Sequence, residues 1–417
     1  MINRWNSVDE REYLSRYDSH QYKTEKDLLL QAYATTLLGA DNDLTMHGGG
    51  NTSVKKMIVD DSGNEKRALY VKASGTPLSA FTPDHFVVMD LAFLEGLRGS
   101  GGADDEVMAR EFKKHQLIPS DRLPSIESLM HAFIPAKFVS HTHPAAILKI
   151  VNRVGGRELL LECFGDDLAV IPYARMGYDL ALASAAAARF HIGCIGVVIE
   201  HHGLVIWGEC ARSVYDLTID IITKAENFLT EKMTRRIKPG VAVPADESLK
   251  NYELIAPAIR ERLPAGKESI VLLNTPDVLE LINSPDGKGI ITDPPMTPDY
   301  PMYSRILPLW VDEGALGAFG CAVDRYIIDY RSHLDRNGVT GVPAADLFPL
   351  AVVYPPAGVI CIGADGASAG RTADFVRQAL SIRRAIFEAG GVYEPLPERY
   401  IFDMQYRGYQ QAKKNAH

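Results

Sequence analysis

The segment Phe138-Val-Ser-His-Thr-His-Pro144 constrains this chain more than any other. Strand-forming residues run up to a proline that cannot extend a ladder, so a strand ending at Pro144 is predicted. Side chains alternate along a strand, so His141 and His143 project to one face and Thr142 to the other. Two imidazoles so placed suit two ligands of one ion; a pair of packed structural histidines is the alternative. The pair His201–His202 lies between the apolar runs IGVVIE and GLVIWG. Gly203 lets the backbone turn there, and adjacent strand residues face opposite ways, so only one histidine is expected to bind. His202, beside Gly203, is the choice. Three neutral imidazoles form a common catalytic zinc set with an open position.

Around these segments the periodicity predicts an α/β layered domain over residues 20–240. TEKDLLLQAYATTLLGA reads as a helix with Thr24 as its cap, Asp27 at capping-box spacing and Gly39 as its stop. ALYVKASG and LAVIPYA read as strands. VMAREFKKHQL, SIESLMHAFI with Ser125 at its N-cap, DLALASAAAARF and ARSVYDLTIDIITKAENFLTEKM read as helices. Lys238 to Ser248, punctuated by Pro and Gly, reads as a linker to a second domain over residues 249–417. In that domain AVVYPPAGVICIGADG and the following helix echo the order around His202, with Ala357–Gly358 where His202–Gly203 stands. The echo is either a degenerate copy that lost its ligand or the recurrence of a common unit.

Bulk properties narrow the function classes. With 417 residues, 46% hydrophobic and 23% charged, the chain has the composition of a globular protein with two or three domains. A net charge of −9 argues against nucleic-acid and anionic-membrane partners and leaves room for a local basic pocket. Five scattered cysteines without CxxC spacing fit reduced thiols. The polar N-terminus has no apolar signal region, and no segment reaches the roughly 20 apolar residues needed to span a bilayer. A cytoplasmic location is expected.

Glu127 falls on the first turn of its helix, where it is either a macrodipole carboxylate or a general acid/base or displaceable ligand. His131 shares its face and could hydrogen-bond it or simply pack. Three polar turns could cradle a phosphate: Gly50-Asn51-Thr52-Ser53, Ser74-Gly75-Thr76, and Ser125. Lys55 and Lys72 could add charge.

Together, HGGGNTS (47–53), KASGTPL (72–78), SIES (125–128), HTHP (141–144) and HHGLVIWG (201–208) resemble the class II aldolase/adducin superfamily. The resemblance implies a three-layer domain with a central, mostly antiparallel sheet. It implies that His141, His143 and His202 hold Zn²⁺ or another divalent ion such as Mn²⁺ or Co²⁺. Glu127 becomes the acid/base, and Asn51, Ser74, Gly75 and Ser125 bind substrate phosphate. Ile126 departs from a pattern that often carries a second serine. TPDYPMYSRILPL (297–309) and YEPLPERYIFDMQYRGYQQAK (393–413) resemble the aldolase portion of long, often bifunctional rhamnulose-1-phosphate aldolases. Departures are Tyr300 in a TPDH motif, and Arg305 alone in a segment normally rich in basic residues. The dehydrogenase domain that follows in those enzymes is expected to be absent here.

The expected reaction is reversible cleavage of a ketose 1-phosphate to dihydroxyacetone phosphate and an aldehyde by a homo-oligomer. Tyr173 is the candidate for protonating the departing aldehyde oxygen. The rivals on the same site are a pentulose-phosphate 4-epimerase and a keto-acid-phosphate decarboxylase. A non-catalytic adducin-like interaction module would lack bound metal.

Overall fold

The computed structural model describes residues 1–17, 25–60, 62–102, 104–191, 193–238 and 240–406. The expected Thr24 cap and the end of the C-terminal motif lie outside the described residues. The chain divides into two compact units. One holds residues 1–151 and 155–231 together with Tyr406, the other residues 152–154 and 232–405.

The first unit is built on an eight-stranded sheet. Its strands are β1 (Asn51–Val59), β2 (Glu65–Lys72), β3 (Phe86–Asp90), β4 (Gln116–Ile118), β5 (Phe138–Thr142), β6 (Leu168–Ile171), β7 (Gly196–Ile199) and β8 (Gly203–Gly208). Their order is β4-β3-β2-β1-β5-β8-β7-β6, antiparallel throughout except between β6 and β7.

Alternation decides what each face meets. Val54 pairs with Tyr70 and Phe138, and Ser140 with Ile206. Val54, Tyr70, Phe138 and Ile206 enter one core with the helices Lys26–Gly39 and Ala211–Lys232. Burying each such side chain contributes about 1.5–3 kcal/mol. Asn51, Ser53, Val139 and His141 take the opposite face, covered by the helix Ser128–Phe133, on which the helix Tyr178–Phe190 packs. Helices thus cover both faces, giving three layers. A one-residue slip of β5 would turn His141 into the apolar core, so that core holds the site in register.

The N-terminal helix Ser7–Ser15, outside the expected 20–240 span, belongs to this unit: Tyr13, with Trp5 just before the helix, is buried in its core. At the other boundary, the expected linker ends early. The helix Ala245–Arg262 begins inside it, started by Pro244 at the cap and by Asp246 and Glu247 in the first turn, and Ser248 is fully buried.

The second unit carries β9 (Ser269–Leu273), β10 (Leu309–Trp310), β11 (Ala351–Tyr354) and β12 (Gly358–Gly363), in the order β10-β11-β12-β9. Read from β9, this repeats β5-β8-β7-β6, with two antiparallel pairs followed by a parallel edge. The register repeats too: Phe138 pairs with Gly208 and Thr142 with Leu204, as Ser269 pairs with Gly363 and Leu273 with Val359. The likeness thus extends to strand order, strand direction and the register of this pair. Leu272, Asn274 and Ala357 stand where His141, His143 and His202 stand. Asn274 donates to Ser248 Oγ at 3.0 Å, and Ser248 Oγ donates to the Ala357 carbonyl at 2.6 Å. Among the described residues no helix is long and apolar enough to cross a membrane.

Candidate active site and metal centre

β2, β5, β6 and β7 end, and β1 and β8 begin, at one edge of the first unit's sheet. This edge gathers the residues singled out from sequence. β5 stops at Thr142, one residue short of His143, yet the two imidazoles still converge, with His143 Nε2 3.1 Å from His141 Nε2. His202 Nε2 lies 3.3 Å from His141 Nε2. Zinc–nitrogen bonds of about 2.0–2.1 Å in a tetrahedron put ligand nitrogens roughly 3.3 Å apart. Both separations suit ligands of one divalent ion, and the ligand atoms of all three histidines lie within 4.8 Å of one another.

Two of the imidazoles show features suited to ligation. His141 Nδ1–H donates to the Leu204 carbonyl at 3.0 Å, leaving the Nε2 lone pair facing its neighbours. Burial, and then His141 and His143, hold the His202 pKa well below its usual value. His201 is outside the cluster.

The turn differs from the expected one. His201, at φ 55°, takes the left-handed conformation, and Gly203 is needed for another reason. A Cβ on Gly203 would lie 2.3 Å from the Thr142 carbonyl oxygen and 2.9 Å from the His143 ring. Glycine lets β8 close onto β5 and delivers His202 to the pair. Gly358 does the same in the second unit, its Cβ position lying 2.6 Å from the Leu273 carbonyl.

Glu127 supplies the fourth direction. Its Oε1 lies 3.3 Å from His202 Nε2 and 3.6 Å from His141 Nε2, buried and without a hydrogen-bond donor. Its Oε2 accepts from Asn51 Nδ2 at 2.6 Å. The same amide donates to Ser125 Oγ at 3.1 Å, and Asn51 Oδ1 accepts from His131 Nε2. His131 Nδ1 accepts from Ser53 Oγ at 2.7 Å. Burial first, then His141 and Lys55, lower the His131 pKa well below normal, so this ring is a neutral relay. His131 therefore acts on Glu127 through Asn51 rather than directly. Sequence reasoning missed this relay, although Asn51 and Ser53, two apart on a strand, had to share a face.

One expectation about Ser125 shifts. The helix starts at Ser128 with Glu127 at its cap, and Ser125 instead closes the preceding turn, its Oγ accepting from the Glu127 N–H at 3.2 Å. The three polar turns do converge: Ser125 N–H donates to the Lys72 carbonyl, Ser74 N–H to the Leu123 carbonyl, and Gly48 packs against Gly75, whose φ is 77°. Lys72, almost fully buried, donates to the Gly48 carbonyl at 3.2 Å. Lys55 is committed elsewhere, donating to the carbonyls of Ile134 and Ala136, and burial lowers its pKa to about 8. Tyr173 falls just beyond β6, half-buried, at the site edge of the sheet. β7 separates β6 from β8, a lateral distance of roughly 10 Å.

Residues 31–229 match the class II aldolase and adducin N-terminal domain, and residues 250–413 match the second domain of class II aldolases. A curated relative, an uncharacterized oxidoreductase YuxG of Bacillus subtilis (strain 168), is 28% identical over 391 residues, 90% of this chain and 56% of the relative. The chain thus spans about half the length of that relative. Among solved structures, the N-terminal class II aldolase domain of a conserved Thermoplasma acidophilum protein is 33% identical with a TM-score of 0.48, over 55% of this chain and 99% of that one. An L-fuculose 1-phosphate aldolase is 19% identical with a TM-score of 0.33, over 55% and 88% respectively. With two adjacent domain matches spanning most of its length, the chain belongs to the class II aldolase/adducin superfamily.

Proposed function

We propose that this protein is a divalent-metal-dependent aldolase that reversibly cleaves a ketose 1-phosphate of the rhamnulose 1-phosphate kind into dihydroxyacetone phosphate and an aldehyde. One observation carries the reading: three imidazoles whose ligand atoms lie within 4.8 Å of one another, with a buried Glu127 oxygen, lacking a donor, 3.3 Å from His202 Nε2. His141, His143 and His202 would hold Zn²⁺, Mn²⁺ or Co²⁺. When bound, the ion supplies Lewis-acid stabilisation of the charge that develops on the substrate carbonyl oxygen as the C–C bond breaks.

Glu127 moves a proton at the carbon that gains or loses the aldehyde. Asn51 holds its other oxygen, and neutral His131 fixes which way the Asn51 amide points. Both amide hydrogens of Asn51 are taken by Glu127 and Ser125. We therefore assign Asn51 to positioning Glu127 and leave the phosphate to Ser74, Gly75 and Ser125. Tyr173 remains the candidate donor to the departing oxygen, supported by its place at the site edge. A cytoplasmic homo-oligomer is part of the same proposal, by analogy with the superfamily.

The test is a panel of ketose 1-phosphates with added zinc, manganese or cobalt, coupled to detection of dihydroxyacetone phosphate. Product release supports the aldolase. Epimerised pentulose without release, or evolved carbon dioxide from a keto-acid phosphate, replaces it with one of the rivals.

A further inference from the structure

The second unit contains a cavity of about 30 Å³ that the metal chemistry does not use. Two arginines line it, each only 6% exposed: Arg305 and Arg383. The hydroxyl-bearing Tyr300 and Ser304 also line it, the other lining residues are apolar, and no carboxylate is among them. A guanidinium in such surroundings keeps its charge and must be compensated.

Arg383 is held by carbonyls and by an aromatic face, its guanidinium carbon lying 5.1 Å from the centre of the Tyr393 ring. Its Nη atoms donate to the carbonyls of Ile291 at 3.2 Å, Asp293 at 2.7 Å and Pro294 at 2.8 Å. Its Nε is buried without a partner. Burial raises the pKa of the Asp293 carboxyl, while Arg383 pulls it down. Arg305 closes the helix Tyr300–Ser304 in a left-handed conformation at φ 66°, a strain that a non-glycine residue keeps only when its surroundings impose it. Its Nε donates to the Phe348 carbonyl at 3.4 Å. Lys267 adds a nearby cation, its pKa lowered by burial and then by Arg305, with Asp346 opposing.

We propose that the cavity between Arg305 and Arg383 binds a free inorganic oxyanion of the phosphate or sulfate class. Forked guanidiniums match the oxygens of such ions. A volume two to three times the minimum for one water admits a small oxyanion and excludes a sugar phosphate. This site lies in a different unit from the proposed aldolase centre and stands or falls independently of it.

The test is calorimetric titration of the whole metal-free chain with inorganic phosphate and with sulfate. Arg305→Gly removes the fork while suiting the left-handed backbone, and binding at this site should weaken at least tenfold. Ser125→Ala, which alters only the proposed substrate pocket, should retain it. Arg305→Lys keeps the charge without the fork and should weaken binding at least threefold, which decides the matter if the glycine variant does not fold. Three outcomes overturn the proposal: wild-type affinity in either folded variant, a binding event abolished by Ser125→Ala alone, or no heat with either anion at tens of millimolar.

Discussion

Asn51 donates its side-chain amide to Glu127 Oε2 over 2.6 Å while its backbone stands directly across the ladder from His141. One strand residue thus ties the acid/base candidate to the strand that carries the metal pair. Asn51→Ala leaves the Glu127 carboxylate short of a charge-assisted hydrogen bond worth about 1.5–3 kcal/mol. The expected loss in kcat is roughly 10- to 100-fold, with bound metal retained. Loss of metal alongside activity would show that Asn51 supports the ligands instead.

The choice between the neighbouring histidines can be read by metal analysis. His141→Ala and His202→Ala each remove one of three ligands and should strip the ion and the activity. His201→Ala should keep the ion, because that side chain is outside the cluster. Equal metal loss in His201→Ala means the wrong member of the pair was assigned.

Gly203→Ala places a methyl group 2.3 Å from the Thr142 carbonyl oxygen, within rigid backbone. Overpacking of this kind costs about 1–3 kcal/mol or more. Thermal melting should show the drop, together with weaker metal binding as β8 is pushed off β5. Gly289→Ala, where a Cβ meets nothing within 4 Å in a helix, is the contrast and should be neutral or stabilising by up to about 1 kcal/mol. Equal destabilisation by both changes would refute the close-approach argument.

Buried His131 makes stability depend on pH. Its folded-state pKa is depressed by burial, so the unfolded chain takes up a proton near the ordinary histidine value while the folded chain does not. Stability is therefore full above about pH 6.5 and falls as the pH drops below it, by about 1.4 kcal/mol per pH unit for this one group. Urea unfolding of the metal-free protein between pH 7.5 and 5.5 should show the decline, with His202 adding its own share. His131→Gln should reduce the slope by one proton. An unchanged slope would mean that His131 is charged in the folded state.

The mechanism needs no Schiff base, although Lys72 is buried beside the glycine turn with its Nζ on the Gly48 carbonyl. Borohydride added with a ketose 1-phosphate should leave the protein unlabelled. A covalent adduct on Lys72 or any other lysine would remove the metal-dependent reading.

What was legible in the sequence follows from short-range physics. Alternation along a strand pointed to His141 and His143 as a pair, although β5 stops at Thr142, and the polar turns at strand ends marked the edge where the site forms. The helices Tyr178–Phe190 and Ala211–Lys232 fell where their periodicity put them. Local signals misled where two readings compete within a few residues. Ser125 resembles a helix cap but closes a turn three residues before the helix, and Gly203 resembles a turn residue but serves close packing. The linker's Pro244 proved to be the cap of a helix.

By itself, then, the sequence determined the donor chemistry: three imidazoles, one carboxylate and a set of glycine and serine turns, each a property of residue type and local spacing. Only the tertiary structure decided how they act together. Strand register set Asn51 opposite His141, closure of β8 on β5 brought His202 to the pair, and the layer across the sheet gave His131 to Asn51 rather than to Glu127. Register and layer packing depend on contacts between residues far apart in the chain, and no local pattern encodes them.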